Sequence, residues 1–395
     1  MSLKLVLYSH TWAPSVGGIE IIYSILAEGL ANWANIHGGE PIEVTFVTQT
    51  PAGVMDDAGL PFRVVRRPGF LRLIRLFRFA DVIHLAGPAL LPLGLAWILR
   101  KPTVLEHHGY QSICPNGLLI FQPDHSICPG HFMARHYSKC VRCNAEKWGR
   151  IKSLQNLVLT FPRRWLAKRV TANVAPSEHM GKRASLPRTT LIYHGVPNAA
   201  PTVKSFEDLS KRPPCFAFVG RLIEEKGVEV LLRAASKLSQ DASDFRLGIV
   251  GDGPEKDRLE RLAVELGLGD RTQFLGTVCS NIISSVLQDV RAIVMPSTCE
   301  DVAPLVAIEQ MLQGHLVIAS DIGGLGETVN GFGLKFPVGD SGALASCMRQ
   351  VLDDPNLSRQ LGKQAQQNAQ TAFAETRMVE EHLILYLTLI ENQSN

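Results

Sequence analysis

Short β-rich runs alternate with stretches of helical apolar spacing along this chain, and the alternation runs through twice. In the first pass Leu3–Ser9 reads as a strand, and 17–34 reads as a helix through Ile21, Ile25, Leu26 and Leu30. A β-rich run at 43–48 follows, then short strands at 81–84 and 102–105 with an apolar helix between them. Runs at 170–176 and 190–194 close that half. The break 197–214, PNAAPTVKSFEDLSKRPP, is rich in proline and polar residues and reads as a linker. The pattern then restarts with strands at 215–219, 246–250, 273–275, 292–295 and 316–319. Helices stand at 228–239, 255–266 and 281–288, around Glu309, and at 341–353. Parallel strands need a crossover, and a helix is the usual one, so this order predicts parallel sheets covered on both faces.

The chain has 395 residues, too many for one core, and two doubly wound α/β domains are expected. They are a Rossmann-like domain over 1–200 with an insertion at about 110–150, a linker over 201–214, and a second Rossmann-like domain over 215–375. An apolar helix in 376–395 is expected to pack back on the first domain. Two such halves facing each other place a ligand crevice outside the carboxyl ends of their strands.

With 46 % apolar and 19 % charged residues, the composition is that of a soluble globular protein. The N-terminal apolar run stops at Ser9-His10, too short for a secretion signal. The longest apolar run, 89–99, contains Pro92 and falls short of the roughly 20 residues that span a bilayer. A cytoplasmic protein is therefore expected. Residues 1–200 hold 22 Lys and Arg against 11 Asp and Glu, while the remainder holds 18 against 26. Such asymmetry points the first half toward an anionic membrane surface or a phosphorylated acceptor, unless it reflects only two differently solvated surfaces. Nucleic acid is not expected, because no reader motif or interleaved aromatics accompany the arginines.

The second half carries the chemistry of a diphosphate site. In FVGRLIEEKGVEVLL, residues 218–232, Gly220 permits a tight turn after a strand, and Arg221 and Lys226 place a fork and a point charge at its carboxyl end. GIVGDGPEKDRL, residues 248–259, is a second glycine-rich turn, where Gly251 and Gly253 suit close backbone approach to a base or ribose. In STCEDVAPLVAIEQ, residues 297–310, Pro304 reads as a first helical residue with 301–303 as the cap region. Such an N-terminus offers unpaired N–H groups to a phosphate. Asp301 and Glu309, eight residues apart, would lie about 12 Å from one another at helical rise. That spacing lets one acid meet sugar hydroxyls while the other holds a ribose diol. SDIGGLGETV, residues 320–329, adds Gly323 and Gly324 after another strand, where a turn or a phosphate-facing backbone is read.

In this order, GRLIEEKG, GDGP, the acid-x7-acid segment and DIGG-x-x-E resemble the retaining glycosyltransferases of family 4, the group 1 glycosyltransferases of GT-B fold. The resemblance extends over the whole chain, since Pro14-Ser-Val-Gly-Gly-Ile-Glu20, DVIHL and HHGYQSICP look like that family's N-terminal motifs. It implies that Arg221 and Lys226 bind the donor diphosphate, Glu309 the ribose, and Asp301 the transferred sugar. It places His108 near the anomeric centre as a positioning donor, and Gly17 and Gly18 beside the phosphates or the acceptor. The frame set by Pro304 and Glu309 gives the first-acid position to Asp301 and not to Glu300. That acid is one methylene shorter than usual, Gln310 replaces the common alanine, and Gly326 a frequent proline. The implied donor is a UDP-, GDP- or ADP-sugar, and the implied acceptor a glycan, a lipid-linked sugar or a small molecule. No catalytic metal and no protein nucleophile are expected. A sugar phosphorylase or sugar-phosphate synthase, or a non-catalytic nucleotide-sugar-binding protein, are the alternatives.

Two features of the first half stand apart. In GFLRLIRLFRFA, Arg72, Arg75 and Arg78 recur among apolar residues, and FPRRWLAKR adds Arg163, Arg164, Lys168 and Arg169 around Trp165. Peripheral membrane contact and an ordinary sheet-covering helix both fit. Cys114, Cys128, Cys140 and Cys143 share one insertion with the spacing C-x13-C-x11-C-x2-C, and His125, His131 and His136 stand nearby. Structural zinc, free thiols and oxidised pairs are the three fates open to them. Cys215, Cys279, Cys299 and Cys347 read as scattered buried hydrophobes.

Overall fold

The computed structural model describes residues 2–14, 17–53, 55–197, 215–241 and 244–394. The linker expected at 201–214 lies outside the described residues, as do Ser15 and Val16 of the N-terminal motif. The chain divides into two compact units, Met1–Val196 with Ala374–Asn395, and Pro197–Phe373.

The first unit opens with β1 (Leu3–Ser9), α1 (Gly18–His37), β2 (Ile42–Thr48), β3 (Arg63–Arg66), α2 (Phe70–Phe79), β4 (Val82–Ala86), α3 (Leu90–Ile98) and β5 (Thr103–Glu106). The insertion holds a two-stranded antiparallel ribbon, β6 (Ile120–Phe121) with β7 (Ser126–Ile127), and α4 (Tyr137–Trp148). Then come α5 (Arg150–Ala167), β8 (Ala172–Ala175), α6 (Glu178–Ala184) and β9 (Thr189–Leu191). Seven parallel strands in the order β3-β2-β1-β4-β5-β8-β9 form the sheet, with Leu5 opposite Val82 and Leu3 opposite Ile42. Leu5, Leu7, Val82, Ile83, Val104 and Leu105 are buried on strands covered from both sides, which is why these runs are continuously apolar and do not alternate.

The second unit runs β10 (Cys215–Val219), α7 (Val228–Asp241), β11 (Arg246–Val250), α8 (Lys256–Glu265), β12 (Thr272–Gly276), α9 (Ser280–Leu287) and β13 (Val290–Met295). It continues with α10 (Leu305–Leu312), β14 (Leu316–Ser320), α11 (Gly323–Thr328), β15 (Leu334–Phe336), α12 (Ser341–Asp353) and α13 (Pro355–Ala372). Its six parallel strands are ordered β12-β11-β10-β13-β14-β15 around a core that includes Phe216, Phe218, Leu247, Ile249, Val294 and Ile318. The last helix, α14 (Glu375–Ser394), packs on α1 and β4 of the first unit.

Both sheets reverse their strand order beside the first strand of the unit, between β1 and β4 and between β10 and β13. Neither neighbouring loop can fill the gap left at such a point, so it is where an open α/β sheet takes a ligand. One expectation about α10 is corrected. The helix starts at Leu305, and Pro304 is its extended cap residue with φ −83° and ψ 91°. Residues 301–303 precede the cap, so the ruler of about 12 Å for a continuous helix does not apply between Asp301 and Glu309. Among the described residues no helix is long and apolar enough to cross a membrane.

Candidate active site

Backbone contacts bring the motif loops of the second unit together. After β10, Gly220 takes φ +155°, which an L-residue rarely adopts. The buried Leu222 then fastens this loop to the next: its N–H donates to Asp252 O at 2.9 Å, and its carbonyl accepts from Glu255 N at 3.1 Å. A Cβ on Gly251 would meet Gly220 O, and one on Gly253 would meet Leu222 O. On the other side Thr298 N donates to Glu225 O at 2.9 Å, and Gly227 lies against Pro296 O. Gly324 N donates to Asp301 O at 2.7 Å, and its missing side chain leaves room for Val302 O, while Gly323 faces Glu300 and Asp301 backbone. Each of these glycines therefore has a loop-packing reason to be glycine; for Gly251 and Gly253 the sequence reading had given close approach to a base or ribose.

The result is a charged pair across the switch point. Lys226, from the β10 loop, places Nζ 2.8 Å from Asp301 Oδ1 and 3.0 Å from Oδ2, on the β13 loop. Ser297 Oγ donates to Oδ2 at 2.8 Å, and the Cys299 thiol faces Oδ1 at 3.7 Å. Burial works against the ammonium charge, but Asp301, with smaller help from Cys299 and Glu225, outweighs it and holds the Lys226 pKa above its ordinary value. The two side chains are 27 % and 17 % exposed, so both still reach solvent. Asp301 is thus not the capping acid of α10; its carboxylate is spent on Lys226 and Ser297. Glu300 is buried at 9 % with its Cα against Gly323, which leaves Asp301 as the acid on the open side.

Arg221 is exposed and pairs with no acid among the described residues. Glu309, one turn into α10, is half-buried with no hydrogen-bond partner among them, and burial alone raises its carboxyl pKa. A carboxylate kept partly from water without a donor is suited to a ligand's hydroxyl pair.

The remaining residues singled out in the sequence lie in the first unit. Gly17 caps α1 in extended conformation and Gly18 opens that helix, after β1. His108 follows β5, its side chain only 5 % exposed. The four cysteines of the insertion are buried and unoxidised. Cys299 and Cys347 are buried as expected, whereas Cys215 is half-buried and Cys279 is exposed, which corrects the reading of all four as buried hydrophobes.

What the sequence reading missed is a buried acid. Glu106, the last residue of β5, is wholly inaccessible, and four imidazoles surround it. His84 Nε2 stands 3.2 Å and His108 Nε2 3.6 Å from Oε2, His382 Nε2 3.9 Å from it, and His194 Nε2 3.3 Å from Oε1. Although burial disfavours its charge, these neighbours hold the Glu106 pKa well below the usual carboxylate range. The neighbours named as lowering it are imidazoles, His108 first, then His194 and His84. His382 Nδ1 donates to Met378 O at 2.8 Å, which turns its Nε2 toward the acid. His84–Glu106–His382 and Glu106–His108–His194 each keep ligand atoms within 4.8 Å, close enough for a metal ion. His84, however, already bonds Tyr23 Oη at 3.0 Å through Nε2 and Tyr386 Oη at 2.6 Å through Nδ1, so both of its ring nitrogens have hydrogen-bond partners in the first triad. A lone acid in the apolar run TVLE is the only sequence signal it leaves.

Comparison with known proteins places this geometry. Residues 201–368 match the family model for group 1 glycosyl transferases. The chain is 29 % identical over 240 residues to the 2-deoxystreptamine glucosyltransferase of Streptomyces kanamyceticus, covering 55 % of this chain and 62 % of that protein. It is 30 % identical over 154 residues to the α-D-kanosaminyltransferase of the same organism, covering 38 % of this chain and 40 % of that one. The matches thus span between two fifths and three fifths of these curated relatives. Among solved structures, sucrose-phosphate synthase of Thermosynechococcus elongatus superposes with a TM-score of 0.73 at 22 % identity, over 99 % of this chain and all of that one. Anabaena HepE in complex with UDP-glucose gives 0.69 at 18 % identity, over 99 % of each chain. The fold is GT-B.

Proposed function

We propose that this chain is a group 1 glycosyltransferase that moves a hexosyl group from a nucleoside-diphosphate sugar to an acceptor hydroxyl with retention of configuration. The observation that carries the reading is the Lys226–Asp301 pair across the switch point, with Arg221 unpaired and Glu309 lacking a donor beside it. Two curated relatives named as sugar transferases and a structural neighbour holding UDP-glucose support it.

Cleaving the bond from sugar to phosphate builds negative charge on the diphosphate. Arg221 and the Lys226 ammonium are placed to offset that charge with little reorganisation. Lys226 then shares its donors between phosphate and Asp301, whose remaining lone pairs accept sugar hydroxyls. Glu309 holds the ribose diol. The acceptor oxygen attacks the face the diphosphate leaves, and its proton passes to the departing phosphate oxygen, so no protein nucleophile is needed. Turnover is tested by measuring nucleoside diphosphate release from UDP-, GDP- and ADP-sugars, with the product anomer read by NMR. No release with any donor, or an inverted product, overturns the respective half of this reading.

Glu309→Gln is expected to weaken nucleotide binding by about 10- to 100-fold, because hydrogen bonds to a charged acceptor contribute roughly 1.5–3 kcal/mol. The same change should not lower the melting temperature. An acid whose folded pKa is raised stabilises the fold only below its ordinary pKa and costs stability once ionised, and glutamine removes that cost. Calorimetry and a thermal melt at neutral pH check the two halves together.

The acceptor side of this reading is a lipid-linked sugar at an anionic membrane. On α2 only Leu73 and Phe77 are buried, while Leu71 is 80 % exposed among the exposed Arg72, Arg75 and Arg78. Next to it α3 exposes Ile98 and α5 exposes Ile151 and Leu154, with Trp97 and Trp165 in edge contact at 5.0 Å between the two. Exposed basic and apolar side chains on these neighbouring helices suit a headgroup layer. Co-sedimentation with phosphatidylglycerol vesicles is expected, falling with salt. Glutamate at all three arginines should cut it on the order of 100-fold at about 1 kcal/mol per basic residue. Equal binding to neutral vesicles would contradict it.

A further inference from the structure

Cys114, Cys128, Cys140 and Cys143 come from three separate segments, and all four line a single cavity of about 10 Å³ with Phe132 and Asn144. Each is only 5–6 % exposed. Cys140 and Cys143 stand one turn apart on one face of α4. Cys114-Pro-Asn-Gly117 is a tight turn closed by Gly117 N to Cys114 O at 3.1 Å, and Cys128-Pro-Gly130 is an irregular loop; each has its glycine at positive φ, +77° and +95°. The donors around these sulfurs are N–H groups. Gln122 N and Asn116 Nδ2 approach Cys143 Sγ at 3.4 Å, and His131 N approaches Cys128 Sγ at 3.5 Å. Backbone N–H groups of Asn116, Gly117 and Leu119 face Cys114 Sγ. Cys143 Sγ also donates to Ile120 O at 3.3 Å and Cys114 Sγ to Asn116 Oδ1 at 2.9 Å, so both are protonated thiols here; the N–H groups around the four sulfurs are donors that thiolates would take up once a cation displaced those protons.

The segment also lacks other means of holding its shape. Between β5 and α4 its regular structure is the two-residue ribbon β6–β7 and one short helical turn. One apolar cluster joins Phe132, Cys140 and Leu157, and Tyr110, Ile113, Leu119 and Ile120 are buried elsewhere in the segment. A segment of this size with so little regular structure is commonly stapled, by disulfide or metal. All four cysteines are unbridged.

We propose that these four cysteines bind one zinc ion as a structural site, closing the insertion that starts directly after His108. Four thiolates complete a tetrahedral shell and leave no position for substrate, so the ion's work is to hold the fold. Zinc at about 2.3 Å from each sulfur sets the sulfurs roughly 3.8 Å apart. Among the described residues the four sulfurs do not lie within 4.8 Å of one another, so loading requires the two Cys-Pro segments to close onto α4. Asn116, which bonds Cys143 through Nδ2 and faces Cys114 through Oδ1 at 2.9 Å, already links one turn to that helix.

Elemental analysis of full-length protein purified without chelator is expected to find about one zinc per chain. It should fall to near zero in Cys140→Ser/Cys143→Ser and stay unchanged in Cys299→Ser/Cys347→Ser. Loss of two ligands can unfold the insertion, so wild-type protein reconstituted with Co(II) supplies an independent reading. Thiolate ligands give sulfur-to-cobalt charge-transfer absorption in the near ultraviolet and intense visible bands of tetrahedral Co(II), and the Glu106 imidazoles would give no such charge transfer. Metal-free wild-type protein, zinc retained by the double serine variant, or a Co(II) spectrum without charge transfer would each overturn the proposal.

Discussion

Lys226→Ala is expected to lower kcat by about 10²- to 10³-fold, the usual effect of removing one donor aimed at charge that develops in a transition state. The loss should fall mainly on kcat and less on KM, because the leaving diphosphate gains its charge as the bond breaks. Folding should survive. The Lys226–Asp301 pair joins two side chains that both reach solvent, and such pairs contribute about 1 kcal/mol or less to stability. Asp301→Asn separates the two functions of that pair. It frees the ammonium for phosphate while removing an acceptor for sugar hydroxyls, so it should change the preference among donor sugars more than nucleotide affinity. Because the residues touch, the double variant is expected to be non-additive. Steady-state kinetics on the four proteins of this cycle check it, and equal kcat in wild type and Lys226→Ala would remove Lys226 from the chemistry.

The other large effect is structural. Glu106→Gln is expected to destabilise the first unit by about 3 kcal/mol, at the low end of the range for removing one partner from a buried charged cluster, because the four imidazoles around it lose their shared acceptor. For a unit of this size that lowers its transition by about 6–12 °C. The pH dependence carries a sign of its own. His382 and His107 are pushed down to about 4 and His194 is lowered, in each case mainly by burial. They stay neutral in the fold and protonate on unfolding, so stability is full above the ordinary histidine range and falls as pH drops from about 6.5 toward 4. Glu106 raises the pKa of all three, so without it that fall should be steeper. Its own contribution runs with the usual acid sign: it is present at neutral pH and lost only in strong acid, as pH falls through the depressed folded value. Thermal melts of both proteins at pH 7.5 and 5.5 read the difference, and parallel losses would show that Glu106 does not balance these histidines.

Particular residues show what was legible in advance. Strands Cys215–Val219 and Arg246–Val250 stand where the apolar runs place them, since a strand buried on both faces leaves a continuous signal. The strands β3 and β15 left none: Arg63–Arg66 is half charged, and Leu334–Phe336 has three residues. Pro304 read as a first helical residue because its fixed φ suits one. Its ψ of 91° puts it outside the helix, in a loop whose residues 301 and 302 pack against Gly323 and Gly324, a contact that motif spacing does not reveal. Lys226 and Asp301 could each be picked out from motif spacing, but their direct bond spans 75 residues, with three strands between them in the chain. Glu106 was missed for the opposite reason. Its partners come from β4, the segments after β5 and β9, and α14; His108 was singled out only for a place near the donor sugar, and the others read alone looked like ordinary loop or core positions.

The central claim is that the second unit binds a nucleoside diphosphate through Arg221, Lys226 and Glu309 at its switch point. Titration calorimetry of the full chain with UDP, GDP and ADP tests it most directly. One of the three is predicted to bind at one site per chain, with affinity lost in Arg221→Ala/Glu309→Ala. Binding of none of them, or binding that the double variant leaves unchanged, would contradict it.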